Sequence, residues 1–120
     1  MPNILNQSNL QEAESLGSNG DSSFNCWGGT LFVLDKSEIL DWVCCEDMAE
    51  FLDENTFIVE NRKSGDILAL YCYDRLVHTA VFIDENTLWH KKGCNRSEYA
   101  SEEEVKECYK HDDFEILRIN

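Results

Sequence analysis

The stretch Arg75–Lys91, RLVHTAVFIDENTLWHK, has the pattern of a β-hairpin. Two segments rich in β-branched and aromatic residues flank the turn-forming triplet Asp84-Glu85-Asn86. A three-residue loop with Asn86 in the left-handed conformation is a standard connection between such strands. In that register Ile83 pairs with Thr87, and Ala80 pairs with His90. The hairpin therefore predicts an antiparallel sheet in the second half of the chain.

The segments around this hairpin predict further strands and one helix. Ile67–Cys72 follows Gly65-Asp66 and is almost continuously apolar, as a central strand is. Thr56–Val59 and Phe114–Ile119 are short and apolar, and we expect strands there too. Ser101-Glu102-Glu103-Glu104 is a capping box that begins a late helix.

Upstream of the strands, Ser37–Glu54 is typical of an amphipathic helix, interrupted near Cys45. Apolar residues recur there at three- and four-residue spacing, and acidic residues fill the opposite face. With helices first and an antiparallel sheet after them, the fold class is predicted to be α+β.

Residues 1–23 are polar and carry a strong loop signal at 17–23. We expect this lead-in to contain one short, weak helix and to pack loosely or to be partly disordered, with residues 24–120 forming a single domain. Asn25 is suited to cap a helix that starts at Cys26 and runs to about Asp35. Gly28-Gly29 and the β-branched residues after them favour a strand, which is the alternative.

The composition limits the partners. The chain has 120 residues, 42% of them hydrophobic, which suits one core. Its formal net charge of −14 predicts repulsion from nucleic acid and from anionic membrane surfaces. No apolar stretch approaches the ~20 residues of a membrane helix. A cationic substrate or a basic protein partner fits this charge best.

The six cysteines are expected to be reduced. Met1–Asn6 has no basic or apolar signal segment, so the predicted location is cytoplasmic, where thiols stay free. Cys44 and Cys45 are adjacent and no C-x-x-C pair occurs, so we predict neither a metal nor a cofactor. Apart from Cys26, the thiols are interpreted as core or incidental groups.

Cys26, His78 and His90 form a candidate catalytic triad. A thiol in the first turn of a helix is stabilised as thiolate by the unpaired N–H groups and the helix dipole. The hairpin register places both histidines on one sheet face, roughly 7–8 Å apart as diagonal neighbours. Cys26 would attack, His78 would carry the proton and His90 would hold the His78 ring. The backbone N–H groups of Cys26 and Trp27 would bind the oxyanion.

This arrangement predicts acyl transfer, namely hydrolysis of a peptide or amide substrate. Each part alone has a simpler structural interpretation, since a thiol at a helix start or a histidine on an apolar strand is usually structural. The alternative is therefore a non-enzymatic acidic interaction module, such as an inhibitor or immunity-type protein, or a catalytically inactive relic of the fold.

The motifs resemble those of the NlpC/P60 family of papain-like cysteine peptidases. Asn25-Cys26-Trp27-Gly28 is similar to the nucleophile motif of that family, and Gly65-Asp66-Ile67 to the start of one of its strands. His78–Ile83 resembles the strand that carries its histidine, and His90 falls where its third polar residue lies. The resemblance implies a papain-like fold, with N-terminal helices packed on an antiparallel sheet. It also implies a thiol peptidase or amidase activity, commonly on cell-wall peptides.

Overall fold

The computed structural model describes residues 5–18, 23–92 and 96–120. Within these ranges all strands pair antiparallel in one sheet of order β1-β6-β2-β3-β4-β5, and helices precede and interrupt the strands. The fold class is therefore α+β, as predicted. No helix in the described ranges is long and apolar enough to cross a membrane. In chain order the elements are α1 (Gln7–Gly17), α2 (Cys26–Val33), α3 (Cys45–Asn55), β1 (Thr56–Ile58), β2 (Ile67–Cys72), β3 (Arg75–Phe82), β4 (Leu88–Lys91), β5 (Ser97–Ala100), α4 (Glu102–Cys108) and β6 (Asp113–Ile119).

The β3–β4 hairpin has the predicted register. Phe82 lies opposite Leu88, and the Ile83 N–H donates to the Thr87 carbonyl at 2.8 Å. The turn differs from the prediction, because Asn86 is not among the described residues with positive φ. Instead the Asp84 carboxylate accepts from the N–H groups of Asn86 and Thr87 at 2.8 and 2.9 Å. This side-chain turn satisfies the loop without left-handed backbone.

The sheet is covered on both faces. Alternate strand residues pack with α1, α2 and α3 on what we call the three-helix face, which includes Ala69, Val81 and Trp89. The intervening residues, among them Leu70 and Ala80, pack with Val105 of α4 on what we call the α4 face. A bulge at Val77 shifts the alternation near the start of β3. From His78 onward the side chains of β3 alternate between the two faces, as do those of β4.

Helix α2 forms where a strand was the alternative. The Asn25 side-chain oxygen accepts from the Gly28 N–H at 3.0 Å, which caps the helix as predicted. Asn25 also exchanges two hydrogen bonds with the backbone of Val43, at 2.8 and 3.2 Å. The glycines allow close packing, since a Cβ at Gly28 would overlap the Asp41 carbonyl oxygen. Tertiary contact thus outweighs the low helix propensity of Gly28-Gly29, and the helix ends at Val33.

Two predicted segments differ in the structure. The helix expected over 37–54 begins only at Cys45, because the preceding loop is held by Asn25 through Val43. The lead-in expected to pack loosely contains α1, whose Leu10 and Ala13 are buried in the core of the three-helix face. The loop signal at 17–23 lies partly outside the described residues. Strand β5 was not predicted.

Asp66 forms a partly buried ion pair with Arg118 at the start of β2. Its side chain is 2% exposed and accepts two hydrogen bonds from Arg118, at 2.8 and 2.9 Å. We expect Arg118→Gln to lower the free energy of unfolding by about 2–4 kcal/mol, because the carboxylate would stay buried with a weaker partner. Urea titration measures this. Arg75→Gln is the control, at an exposed position of the same sheet, and an equal loss in both variants would contradict the prediction.

Candidate functional site

His78 and His90 form a buried pair on the α4 face. Nε2 of His78 lies 2.8 Å from Nδ1 of His90, and the rings meet edge to face at 5.0 Å. Tyr109, which follows α4, stacks on His78 with ring centroids 3.9 Å apart. Both histidines are at most 1% exposed. The hairpin register therefore brings the two histidines together, as the sequence predicted.

Burial keeps both rings neutral. Desolvation lowers the pKa of His78 well below its usual value, and repulsion between the two rings if both carried a proton lowers it further. Desolvation also lowers the pKa of His90, although a hydrogen bond to Glu98 opposes it. Neutral imidazole can accept at one nitrogen and donate at the other, and it is the form that ligates metals.

Cys26 lies on the other side of the sheet. Helix α2 packs on the three-helix face, where Thr30 Oγ1 lies 2.8 Å from Thr79 Oγ1 and the Cys26 thiol receives a hydrogen bond from the Thr79 backbone. Thr79 is the neighbour of His78, so their side chains point to opposite faces. The predicted contact between Cys26 and His78 is therefore wrong, and the triad of Cys26, His78 and His90 is not assembled.

The electrostatics at Cys26 also oppose a poised nucleophile. Desolvation raises the pKa of the Cys26 thiol to about 11. Backbone hydrogen bonds from Thr79, Trp27 and Cys26 itself, and the charge of Lys91, act in the opposite direction but are outweighed. The backbone N–H groups of Cys26 and Trp27, which were predicted to bind an oxyanion, instead contact the Cys26 thiol. Cys26 is only 6% exposed.

Glu98 and Cys108 complete a different cluster around His90. Nε2 of His90 lies 3.1 Å from a carboxylate oxygen of Glu98, which projects from β5. The ligand atoms of His90, Glu98 and Cys108 all lie within 4.8 Å of one another. Neither Glu98 nor Cys108 was predicted. Two features of the sequence could have indicated them. Glu98 lies in a short alternating segment after β4, and Cys108 is the last residue of the helix that the capping box begins.

These three residues offer a nitrogen, a carboxylate oxygen and a sulfur, the ligand types that zinc takes. Around a tetrahedral zinc ion such ligand atoms lie roughly 3.3–3.8 Å apart, given metal–ligand distances of about 2.0–2.3 Å. Closing the cluster therefore requires a movement of about 1 Å. Glu98 is half-buried and Cys108 exposed, so both side chains have room to rotate.

Comparisons with protein-family models, with curated proteins and with solved structures give no match for this chain. The fold class and the geometry of the histidine cluster therefore carry the functional argument. The resemblance to the NlpC/P60 family stays a prediction.

Proposed function

We propose that the protein binds a divalent metal ion of the zinc class at His90, Glu98 and Cys108. The convergence of the three ligand atoms within 4.8 Å carries this proposal. Three protein ligands leave one tetrahedral position for water, which is the arrangement of catalytic zinc sites. The amide hydrolysis expected from the sequence would then depend on a metal-activated water rather than on Cys26.

His78 supports the proposal as a positioning residue. A metal-binding histidine usually has its second nitrogen held by a hydrogen bond, which fixes the tautomer and the ring. If Nε2 of His90 binds the metal, its Nδ1–H donates to Nε2 of His78, across the 2.8 Å contact. Lys92 lies 3.4 Å from the Glu98 carboxylate, so its charge would compete with the metal for this group.

Titration of the metal-free protein with zinc, in competition with a fluorescent chelator, tests this site. We expect one zinc per chain in the wild type and affinity at least about tenfold weaker in Cys108→Ser, since a thiolate ligand is lost. The matched control is Cys44→Ser, which removes an exposed thiol elsewhere. His78→Phe retains an aromatic ring to stack on Tyr109 but has no nitrogen to hold His90. It is expected to weaken zinc binding about 10–100-fold.

Cobalt reports the ligands directly. The cobalt-loaded wild type is expected to show a thiolate-to-metal charge-transfer band that Cys108→Ser lacks, and acetohydroxamate should change its d–d spectrum by occupying the open position. Stoichiometric zinc binding with no response to acetohydroxamate would remove the hydrolytic part of the proposal. Equal zinc affinity in the wild type and Cys108→Ser would remove the site itself.

We also propose that the α+β arrangement is a papain-like fold in which the contact between thiol and histidine has been lost. Support comes from a helix that begins at Cys26 and packs across β3 and β4, and from the Gly65-Asp66 start of β2. The thiol-dependent activity that the resemblance implies is not part of this proposal, because Cys26 and His78 belong to opposite faces.

A further inference from the structure

A groove of about 560 Å³ lies between α3 and the β1 edge of the sheet, away from the proposed metal site at His90. Its apolar lining includes Phe57 and Ile58 of β1, together with Leu52 of α3 and Leu117 of β6, which are each only 4% exposed. Ile58 is 65% exposed, and its neighbour Phe57 is 47% exposed. Large apolar side chains left this open on an edge strand are a common feature of protein interaction sites.

The groove is bordered by carboxylates. Asp53 and Glu115 line it, and an adjoining depression shares Tyr71 and Glu115 and adds Asp74 and Asp113. Among the described residues that line these two spaces, none is a lysine or an arginine. The combination is therefore an apolar surface with four acidic groups around it.

Tyr71 lies among these acidic groups. Partial burial, a hydrogen bond to Glu115 and the charges of Glu115, Asp113 and Asp53 all raise the pKa of its hydroxyl. The acidic groups therefore act on one point from both sides of the groove. Arg62 lies in the next depression around β1 and is paired with Glu102 at 3.0 Å.

We infer that this groove binds a basic amphipathic peptide segment of a partner protein, with apolar side chains against Phe57 and Ile58 and arginine or lysine side chains against the four carboxylates. Opposite charges favour such a segment and speed its approach to the groove. A second copy of this chain fits less well, since each copy has a net charge of −14. The inference does not depend on the proposed metal site, which is on the α4 face.

Fluorescence anisotropy tests the groove with the full chain and a labelled decapeptide of alternating arginine and leucine. We expect saturable binding that weakens between about 20 mM and about 150 mM salt, because the charges are partly exposed. Ile58→Ser and the double variant Asp53→Asn/Glu115→Gln should each weaken binding at least about tenfold. The charge-matched control Glu12→Gln/Glu85→Gln, at exposed positions outside the groove, should change it less than about twofold.

Three results would overturn the inference. The first is equal weakening in the two double variants, or no binding, because attraction would then reflect net charge alone or be missing. The second is displacement of the peptide by calcium chloride at an ionic strength at which sodium chloride leaves it bound, which would make the carboxylates a cation site. The third is a dimer in sedimentation velocity that Ile58→Ser dissociates, which would make a second copy the occupant.

Discussion

Iodoacetamide is expected to alkylate Cys26 at least about 100-fold more slowly than a free cysteine at pH 8. Only the thiolate reacts, and with a pKa of about 11 the Cys26 thiol is ionised in about one molecule in a thousand at that pH. A free thiol of pKa ~8.5 is ionised in about a quarter of molecules. Burial of Cys26 slows the reaction further. Timed alkylation followed by tryptic digestion measures this, because peptide 1–36 contains no other cysteine.

The internal reference is the exposed Cys44, whose tryptic peptide 37–62 also contains the half-buried Cys45, so fragmentation of the peptide is needed to assign the label. Alkylation in guanidinium should remove the difference between the two peptides, and His78→Ala should leave the rate at Cys26 unchanged because His78 is on the other face. Fast alkylation of native Cys26 near pH 6 that depends on His78 would restore the triad and contradict the geometry described above.

Gly28→Ala is expected to lower the free energy of unfolding by about 3 kcal/mol. An alanine Cβ at this position would lie 1.7 Å from the Asp41 carbonyl oxygen and 2.9 Å from its carbon. These are backbone atoms, so relief requires moving the loop that Asn25 holds against α2. The better helix propensity of alanine, worth about 1 kcal/mol, offsets only part of this strain. The midpoint of urea unfolding at unchanged slope measures the effect.

Gly29→Ala is the matched control in the same helix. There the Cβ would lie 3.1 Å from the Trp89 side chain, a ring that can shift by a few tenths of an ångström. We expect the gain in helix propensity to offset this contact, leaving stability within about 1 kcal/mol of the wild type. If Gly28→Ala were no more destabilised than Gly29→Ala, the result would contradict the short distance between Asp41 and Gly28.

The sequence predicted those parts of the fold that depend on local patterns. The bounds of β2 follow from its continuous apolar run, and α4 from its capping box, in which the Ser101 and Glu104 groups hydrogen-bond as expected. The pairing of His78 with His90 also follows from local information, because the odd loop length fixes which residues share a face.

Which face of the sheet each helix covers is not encoded locally. Strand alternation shows that His78 and Thr79 lie on opposite sides, but it does not show that α2 packs on the side of Thr79. That choice depends on distant contacts such as Gly29 against Trp89, and with it the prediction of a catalytic Cys26 failed. For the same reason the sequence does not predict that Cys108 lies near His90, because only the packing of α4 on the sheet brings them together.

The strand order has a consequence for amide hydrogen exchange. Strand β2 is covered on both faces and paired along most of its length with β3 and β6, so its amides should exchange only through global unfolding. Strand β3 is paired with β2 along its length but with β4 only at Val81 and Phe82. Strands β1 and β5 are at the two edges, where local opening needs less free energy. His90 therefore belongs to an internal strand and Glu98 to one that opens more readily. In the proposed metal site, a fixed residue would thus be joined to an adjustable one, so the roughly 1 Å closure around an ion would not disturb the buried histidine pair.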